Sequence, residues 1–227
     1  MAEAAEVAVD RVAERVVMVA GATGLVGREV LAALLADKSC TAVHSIGRKA
    51  PGLQHPKLTA HVVSFARLPR LPRIDEAYIS LGTTIKVAGS QQAFREVDFD
   101  AVVAVARAAR AAGATRLGLV SAMGADPASS VFYNRVKGEA EAALQTLGLR
   151  SLVIARPSML AGDRASLGQE ERLGERLGLL LMSAFKPVIP RNYRAIAARD
   201  VAQALITAVM QGTPGCQVLL SGAMQRT

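Results

Sequence analysis

Cysteine, histidine, tryptophan and long apolar runs are what this sequence has least of. The two cysteines, Cys40 and Cys216, stand far apart with no partner motif, which excludes a disulfide framework and a CxxC metal site. The three histidines, His44, His55 and His61, lack metal-ligand spacing and fall around predicted strands, so no metal is implied. No apolar run reaches the roughly 18 residues of a membrane span. The opening stretch MAEAAEVAVDRVAER is too charged to hold a signal peptide's apolar region, so a cytoplasmic location without membrane contact is expected. Acidic residues are fewer than basic ones, 19 against 27, for a net charge of +8. The arginines are dispersed and no recognition motif accompanies them, which argues against a nucleic-acid partner. A phosphorylated small ligand accounts for a local part of the excess.

Aromatics make up only 4% of the chain while 51% is hydrophobic, dominated by Ala, Val and Leu. That composition suits helices packed on a Val- and Leu-rich parallel sheet. Short apolar runs read as strands at residues 15–20, 41–47, 58–65, 76–82, 116–122 and 151–158, with a last one in CQVLLSG. Between them lie helical patterns at 28–37, at 92–113 ending on Gly113, and through VFYNRVKGEAEAAL; a further one is ARDVAQALITAVMQ. Alternation of this kind predicts an α/β fold, a doubly wound parallel sheet in a single domain spanning 1–227. Residues 1–14 read as an N-terminal extension, and about 159–200 as a small substrate-covering lid. In that lid ERLGERLGLLLMSAF reads as helical and KPVIPRNYRAI as irregular, while Met159, Leu179, Leu180, Met182 and Phe185 either line an apolar pocket or pack as core. Arg164 and Tyr193 either reach a substrate or only solvent. The Pro- and Arg-rich connector RLPRLPRID reads as a surface loop. Whether the Ala- and Val-rich face of the long helix pairs with a second subunit or with the sheet stays open.

Between first strand and first helix lies GATGLVG, with Gly21, Gly24 and Gly27. Glycine permits the tight turn, then close approach of backbone to a pyrophosphate, then close packing of helix on strand. The helix start beyond offers free N–H groups and a partial positive charge to phosphates. At the end of the second strand an NAD-binding protein usually places Asp or Glu for the ribose hydroxyls, but here Arg48 and Lys49 stand. An arginine can pair with a 2′-phosphate that a carboxylate would repel, so NADP(H) is preferred over NAD(H).

Tyr133 and Lys137 sit four residues apart on one helical face, and Ser121 ends the fifth strand at the same sheet edge as the glycine turn. Alone, the pair reads first as a core-capping tyrosine beside a solvated lysine. With the turn, it points to chemistry: a free tyrosine titrates near 10 and is a poor proton carrier at neutral pH unless a neighbouring ammonium favours its phenolate.

GATGLVG, Ser121 and YNRVK together resemble the short-chain dehydrogenase/reductase superfamily. More narrowly, IGR, SLGTT, VDFD, VSAMGAD, YNRVKGEAE and ARPSML resemble its atypical branch, the Tat-interactive-protein-like oxidoreductases, from about Val16 to the last strand. The resemblance implies a Rossmann fold binding NADP(H), with Tyr133 as general acid/base, Lys137 lowering its pKa and bonding the nicotinamide ribose, and Ser121 orienting the carbonyl of a small carbonyl or alcohol substrate. It also implies a cofactor lining drawn from Gly21, Thr23, Gly24, Leu25, Val26, Gly27, Arg48, Lys49, Leu81, Gly82, Tyr133, Lys137, Pro157 and Leu160. Two positions depart from the pattern: Asp98 stands where many members carry a proton-relaying Asn, and Ser158 replaces the usual Gly after Pro157, which places a hydroxyl near the carboxamide. Since the family includes members discussed as regulators, an NADP(H)-binding sensor with little turnover is the competing expectation.

Overall fold

Strand β1 (Arg15–Ala20) shows how the layers are built, because its successive side chains serve opposite faces. Val17 and Val19 enter one core, and Met18 and Ala20 enter the other; all four are fully buried. A run without polar alternation therefore means a strand covered on both sides. The computed structural model describes residues 14–161 and 190–225.

The sheet has seven parallel strands in the order β3-β2-β1-β4-β5-β6-β9. Their bounds are β2 (Cys40–Gly47), β3 (Leu58–Val62), β4 (Glu76–Ile79), β5 (Arg116–Val120), β6 (Ser151–Arg156) and β9 (Gly215–Leu220), and β7 (Leu160–Ala161) pairs separately with β8 (Ile196–Ala197). On one face lie α1 (Leu25–Ala36) and α6 (Ala198–Gln211), packing Val30, Leu31, Leu34, Val201, Leu205 and Val209 onto the sheet. The other face takes α4 (Val102–Ala111) and α5 (Phe132–Gln145) through Val102, Val105, Ala106, Ala140 and Leu144. Burying each such Val or Leu contributes about 1.5–3 kcal/mol, and together these layers hold the sheet between them. This is the doubly wound, Rossmann-like architecture expected from the alternation.

Several bounds differ from the sequence expectation. The first helix begins at Leu25 instead of residue 28, because the glycine turn closes earlier. Strands β3 to β6 each stop two or three residues sooner, and the freed residues form the rim of the sheet. The expected helix 92–113 is broken: α3 (Gln91–Arg95) passes into a π-helical turn at Glu96–Ala101, and α4 follows. Gly113 closes it at φ +107°, a left-handed position that suits a residue without a Cβ. Short helices α2 (Ile85–Ala88) and α7 (Ser221–Met224) were not foreseen, being a single turn each with no periodic signal. Of the expected lid, Arg164, Leu179, Leu180, Met182 and Phe185 lie outside the described residues; Met159 and Tyr193 are exposed. Within KPVIPRNYRAI the described part contains a 3₁₀ turn at Arg191–Tyr193 and enters β8.

Candidate active site

All strands of a parallel sheet end at one edge, and the crevice there is where α/β folds bind ligands. In this chain that crevice is a cleft of about 480 Å³, within the usual range for small-molecule sites. Tyr133, Lys137 and Ser121 line it together, opposite Gly24, Leu25 and Val26, with Leu81, Gly82 and Leu160 between. A second hollow of about 410 Å³ lies between the connector and α4, but its lining of Pro69, Arg70, Leu71, Arg73 and three alanines holds no acid–base pair.

The glycine wall explains its spacing. Gly21 has φ +85°, and a Cβ there would stand 2.6 Å from the Ser80 carbonyl oxygen. At Gly27 a Cβ would come within 2.0 Å of the Gly21 carbonyl oxygen, so only glycine lets α1 start this close to β1. Gly24 is the N-cap of α1 and no side chain caps it, leaving the helix's first N–H groups open toward the cleft. The Ser80 hydroxyl donates to the carbonyls of Ala20 and Gly21 at 3.0 and 3.3 Å and ties β4 to the turn. An uncapped twelve-residue helix behind a glycine turn fits the pyrophosphate of a dinucleotide.

Helix α5 carries the opposite wall. Tyr133 lies half-buried with its ring against Phe94, centroids 5.4 Å apart, and Phe94 is fully buried at the end of α3. One turn on, Lys137 is buried and its Nζ pairs with Asp98 Oδ1 at 2.7 Å. The π-helical turn aims Asp98 there, and the Thr83 N–H donates to its other oxygen at 2.9 Å. Burial pushes the Asp98 carboxyl up, against the pull of Lys137 and of the Thr83 N–H. A Cβ on Gly82 would meet both Asp98 Oδ1 and Lys137 Nζ at 3.4–3.5 Å, so the SLGTT segment runs directly over the ion pair. The departure from asparagine is thus a buried charge pair with the lysine that lines the cleft.

Ser121 follows β5, its N–H still bonded to Ala155 of β6 at 2.8 Å. Its hydroxyl donates to Glu141 Oε1 at 2.5 Å, and Arg156 holds the same carboxylate through Nε at 3.0 Å and Nη2 at 2.5 Å. Glu141 is eight residues beyond Tyr133 on α5 and was missed, although the same helical spacing that relates Tyr133 to Lys137 reaches it.

Other expected residues are placed differently. Thr23 is exposed, and Arg48 and Lys49 stand exposed at the end of β2 with no carboxylate partner among the described residues; none of the three lines the cleft. Pro157 is buried behind it, its carbonyl accepting from the Met123 N–H at 3.0 Å. The Ser158 hydroxyl donates to the Arg194 carbonyl and meets Ser221 Oγ at 2.9 Å, fastening the end of β6 to the segment before α6 and to the start of α7. Thr83, Thr84, Lys86 and Val87 also line the cleft and were not singled out individually, the threonines only as letters of SLGTT.

Comparison with known proteins agrees with this geometry. A family model described as NAD(P)H-binding matches residues 21–211. Protein fmp52, mitochondrial, of Emericella nidulans is 35% identical over 178 residues, covering 74% of this chain and 75% of that protein. Protein HTATIP2 of Rattus norvegicus is 31% identical over 211 residues, covering 90% of this chain and 85% of its own length. Among solved structures, the aldohexose dehydrogenase of Thermoplasma acidophilum superposes with a TM-score of 0.66 at 15% identity, covering 95% of this chain and 96% of that one. The likeness in structure speaks for the fold; the likeness in sequence speaks for the family.

Proposed function

This chain belongs to the NAD(P)H-binding family, and from that membership we propose that it is an NADP(H)-dependent oxidoreductase acting on a carbonyl or alcohol substrate. The observation that carries the reading is the convergence of Tyr133, Lys137 and Ser121 on one cleft faced by the uncapped start of α1. Gly24, Leu25 and Val26 would hold the pyrophosphate, Leu81 and Gly82 the adjoining ribose and ring, and Lys137 the nicotinamide ribose. When bound, the cofactor supplies or accepts a hydride at nicotinamide C4. Tyr133 gives its hydroxyl proton to the substrate oxygen during reduction and takes it back during oxidation, and the Lys137 ammonium balances the phenolate that remains. Asp98 secures that ammonium from behind and offers a carboxylate that can take a proton, which an asparagine could not do.

Replacing Tyr133 by Phe should lower NADPH-dependent carbonyl reduction by about 100-fold or more, the usual contribution of a positioned acid, with NADPH affinity nearly unchanged. Undiminished turnover in that variant would remove Tyr133 from the chemistry. Consistent silence of the wild type across a broad carbonyl screen, with tight NADPH binding, would favour a sensor instead.

Arg48 and Lys49 support the choice of NADP(H), since two exposed cations with no carboxylate partner among the described residues suit a 2′-phosphate. Removing both by alanine should weaken NADPH binding about tenfold or more and leave NADH binding unchanged. Equal affinities of the wild type for the two cofactors would end the preference. Fractionation of the tagged chain decides between the expected cytoplasmic location and the mitochondrial one for which the fmp52 relative is named.

A further inference from the structure

The Ser121 hydroxyl has a single proton, and the structure shows where it goes. It is donated to Glu141 at 2.5 Å, and Glu141 is itself gripped through two bonds by Arg156. Arginine stays charged in proteins, so its partner is a carboxylate, which can only accept. Glu141 is 2% exposed, so water does not compete for the acceptor behind the serine. Glu141 stands behind the serine, outside the lining of the cleft. The hydroxyl therefore turns only its lone pairs toward Tyr133 and the space beside it.

A carbonyl oxygen also has only lone pairs, and two acceptors facing each other in a cleft repel. A hydroxyl on the neighbouring carbon has the complementary chemistry: it can donate to Ser121 while the carbonyl oxygen takes the proton of Tyr133. We propose that Glu141 is a positioning residue that fixes Ser121 as a hydrogen-bond acceptor, and that the substrate is an α-hydroxy carbonyl compound interconverted with its vicinal diol. The inference rests on the oxidoreductase reading of the same cleft. In the reduction, the carbonyl carbon would receive the hydride that bound NADPH supplies, with NADP⁺ as the oxidised product. The π pair moves onto the oxygen, which takes the Tyr133 proton, and the phenolate recovers a proton from solvent. The neighbouring hydroxyl is unchanged throughout.

The test compares 2-hydroxyacetophenone with acetophenone, two ligands that differ by that hydroxyl alone. The wild-type chain with NADPH should favour the hydroxy ketone about tenfold in kcat/KM, the ratio one ordinary net hydrogen bond supplies. Ser121→Ala should erase the ratio. Glu141→Leu paired with Arg156→Leu should erase or invert it: with no carboxylate behind the serine and no buried charge left over, the serine proton is released into the cleft. A residue that merely supported the fold would lower both activities together and leave their ratio alone.

A second measurement needs no turnover. In Tyr133→Phe loaded with NADPH, binding followed by nicotinamide fluorescence should again favour the hydroxy ketone about tenfold. A hydroxyl that gains nothing there, whether both ketones bind or neither does, overturns the proposal. Inactivity of the wild type with that binding preference intact would instead count against the oxidoreductase reading, and failure to bind NADPH would overturn both.

Discussion

Lys137 and Asp98 form a buried ion pair, and each is costly without the other. Both are buried, and breaking such a pair by removing one partner costs about 3–5 kcal/mol, whereas replacing both by neutral groups often costs little. Lys137→Met should therefore destabilise the chain by about that amount in denaturant unfolding, and adding Asp98→Asn should restore most of it. Additive losses in the double variant would mean that the two side chains do not interact. The pH dependence of Lys137→Met has a definite sign. Asp98 already holds its proton more tightly than a free carboxyl because of burial, and losing its cation strengthens that hold. A raised carboxyl contributes stability below its unfolded value and loses it as pH rises through its folded value. The deficit of the lysine variant should therefore shrink in acid and grow toward neutral pH. The sequence showed Asp98 as an unexpected letter on a helix; that it would meet Lys137 depended on a π-helical turn, which no pattern of apolar residues announces.

Helix α5 is positioned as an element by one residue more than by its apolar stripe. Gly138 lies against the loop before the helix, where a Cβ would stand 2.2 Å from the backbone of Asp126 and Pro127. Gly138→Ala should push α5 off that loop, costing about 1–3 kcal/mol of stability, and should impair catalysis more than NADPH binding because Tyr133 and Lys137 ride on the displaced helix. A melting temperature and turnover both equal to wild type would show that the loop yields instead. Elements whose signal is local were legible: β1, the glycine turn, α5 and α6 follow from runs and spacings of residues. Those that arise from tertiary contact were not. The β7–β8 pair needs only two residues from each side, and α2 is fixed by Thr84, whose side chain accepts from the Val87 N–H at 3.2 Å. That Ser121, Tyr133 and Lys137 share one edge was legible because helix and strand geometry alone brings them there. Glu141 and Arg156 were not, because their meeting requires α5 to pack across β6.

At the scale of the whole molecule the sheet has two chemically different ends. The cleft occupies the end where the strands finish, while the end where they begin is locked by a charge network. Arg15 binds Glu76 at 2.8 Å and also pairs with Asp37, Arg116 binds Glu76 at 2.6 Å, and the Tyr78 hydroxyl donates to Glu76 at 2.9 Å. Burial pushes the Asp37 carboxyl up, but two hydrogen bonds from Ser39 and the nearby Arg15 outweigh it, so the group is held below its usual range. A depressed carboxyl contributes stability above its unfolded value and loses it as pH falls through its folded value. Asp37→Asn should be less stable than wild type at neutral pH, and the two unfolding curves should converge as the solution is acidified. A gap that is constant with pH would assign the loss to packing. None of this network touches the site, so these variants should bind NADPH as wild type does.

The order of strands also dictates how the molecule comes into being on the ribosome. Each strand of the sheet pairs with one already synthesised, β2 and β4 with β1, β3 with β2, β5 with β4, β6 with β5 and β9 with β6, so the nascent sheet grows outward without waiting for anything downstream. The glycine turn, Tyr133 and Lys137 all emerge before Arg156, and until that arginine appears Glu141 is an anion without a counterion. Protease protection of α5 in stalled translation intermediates should therefore arrive with Arg156, and protection complete before it would separate the maturation of this pocket from the last steps of its scaffold.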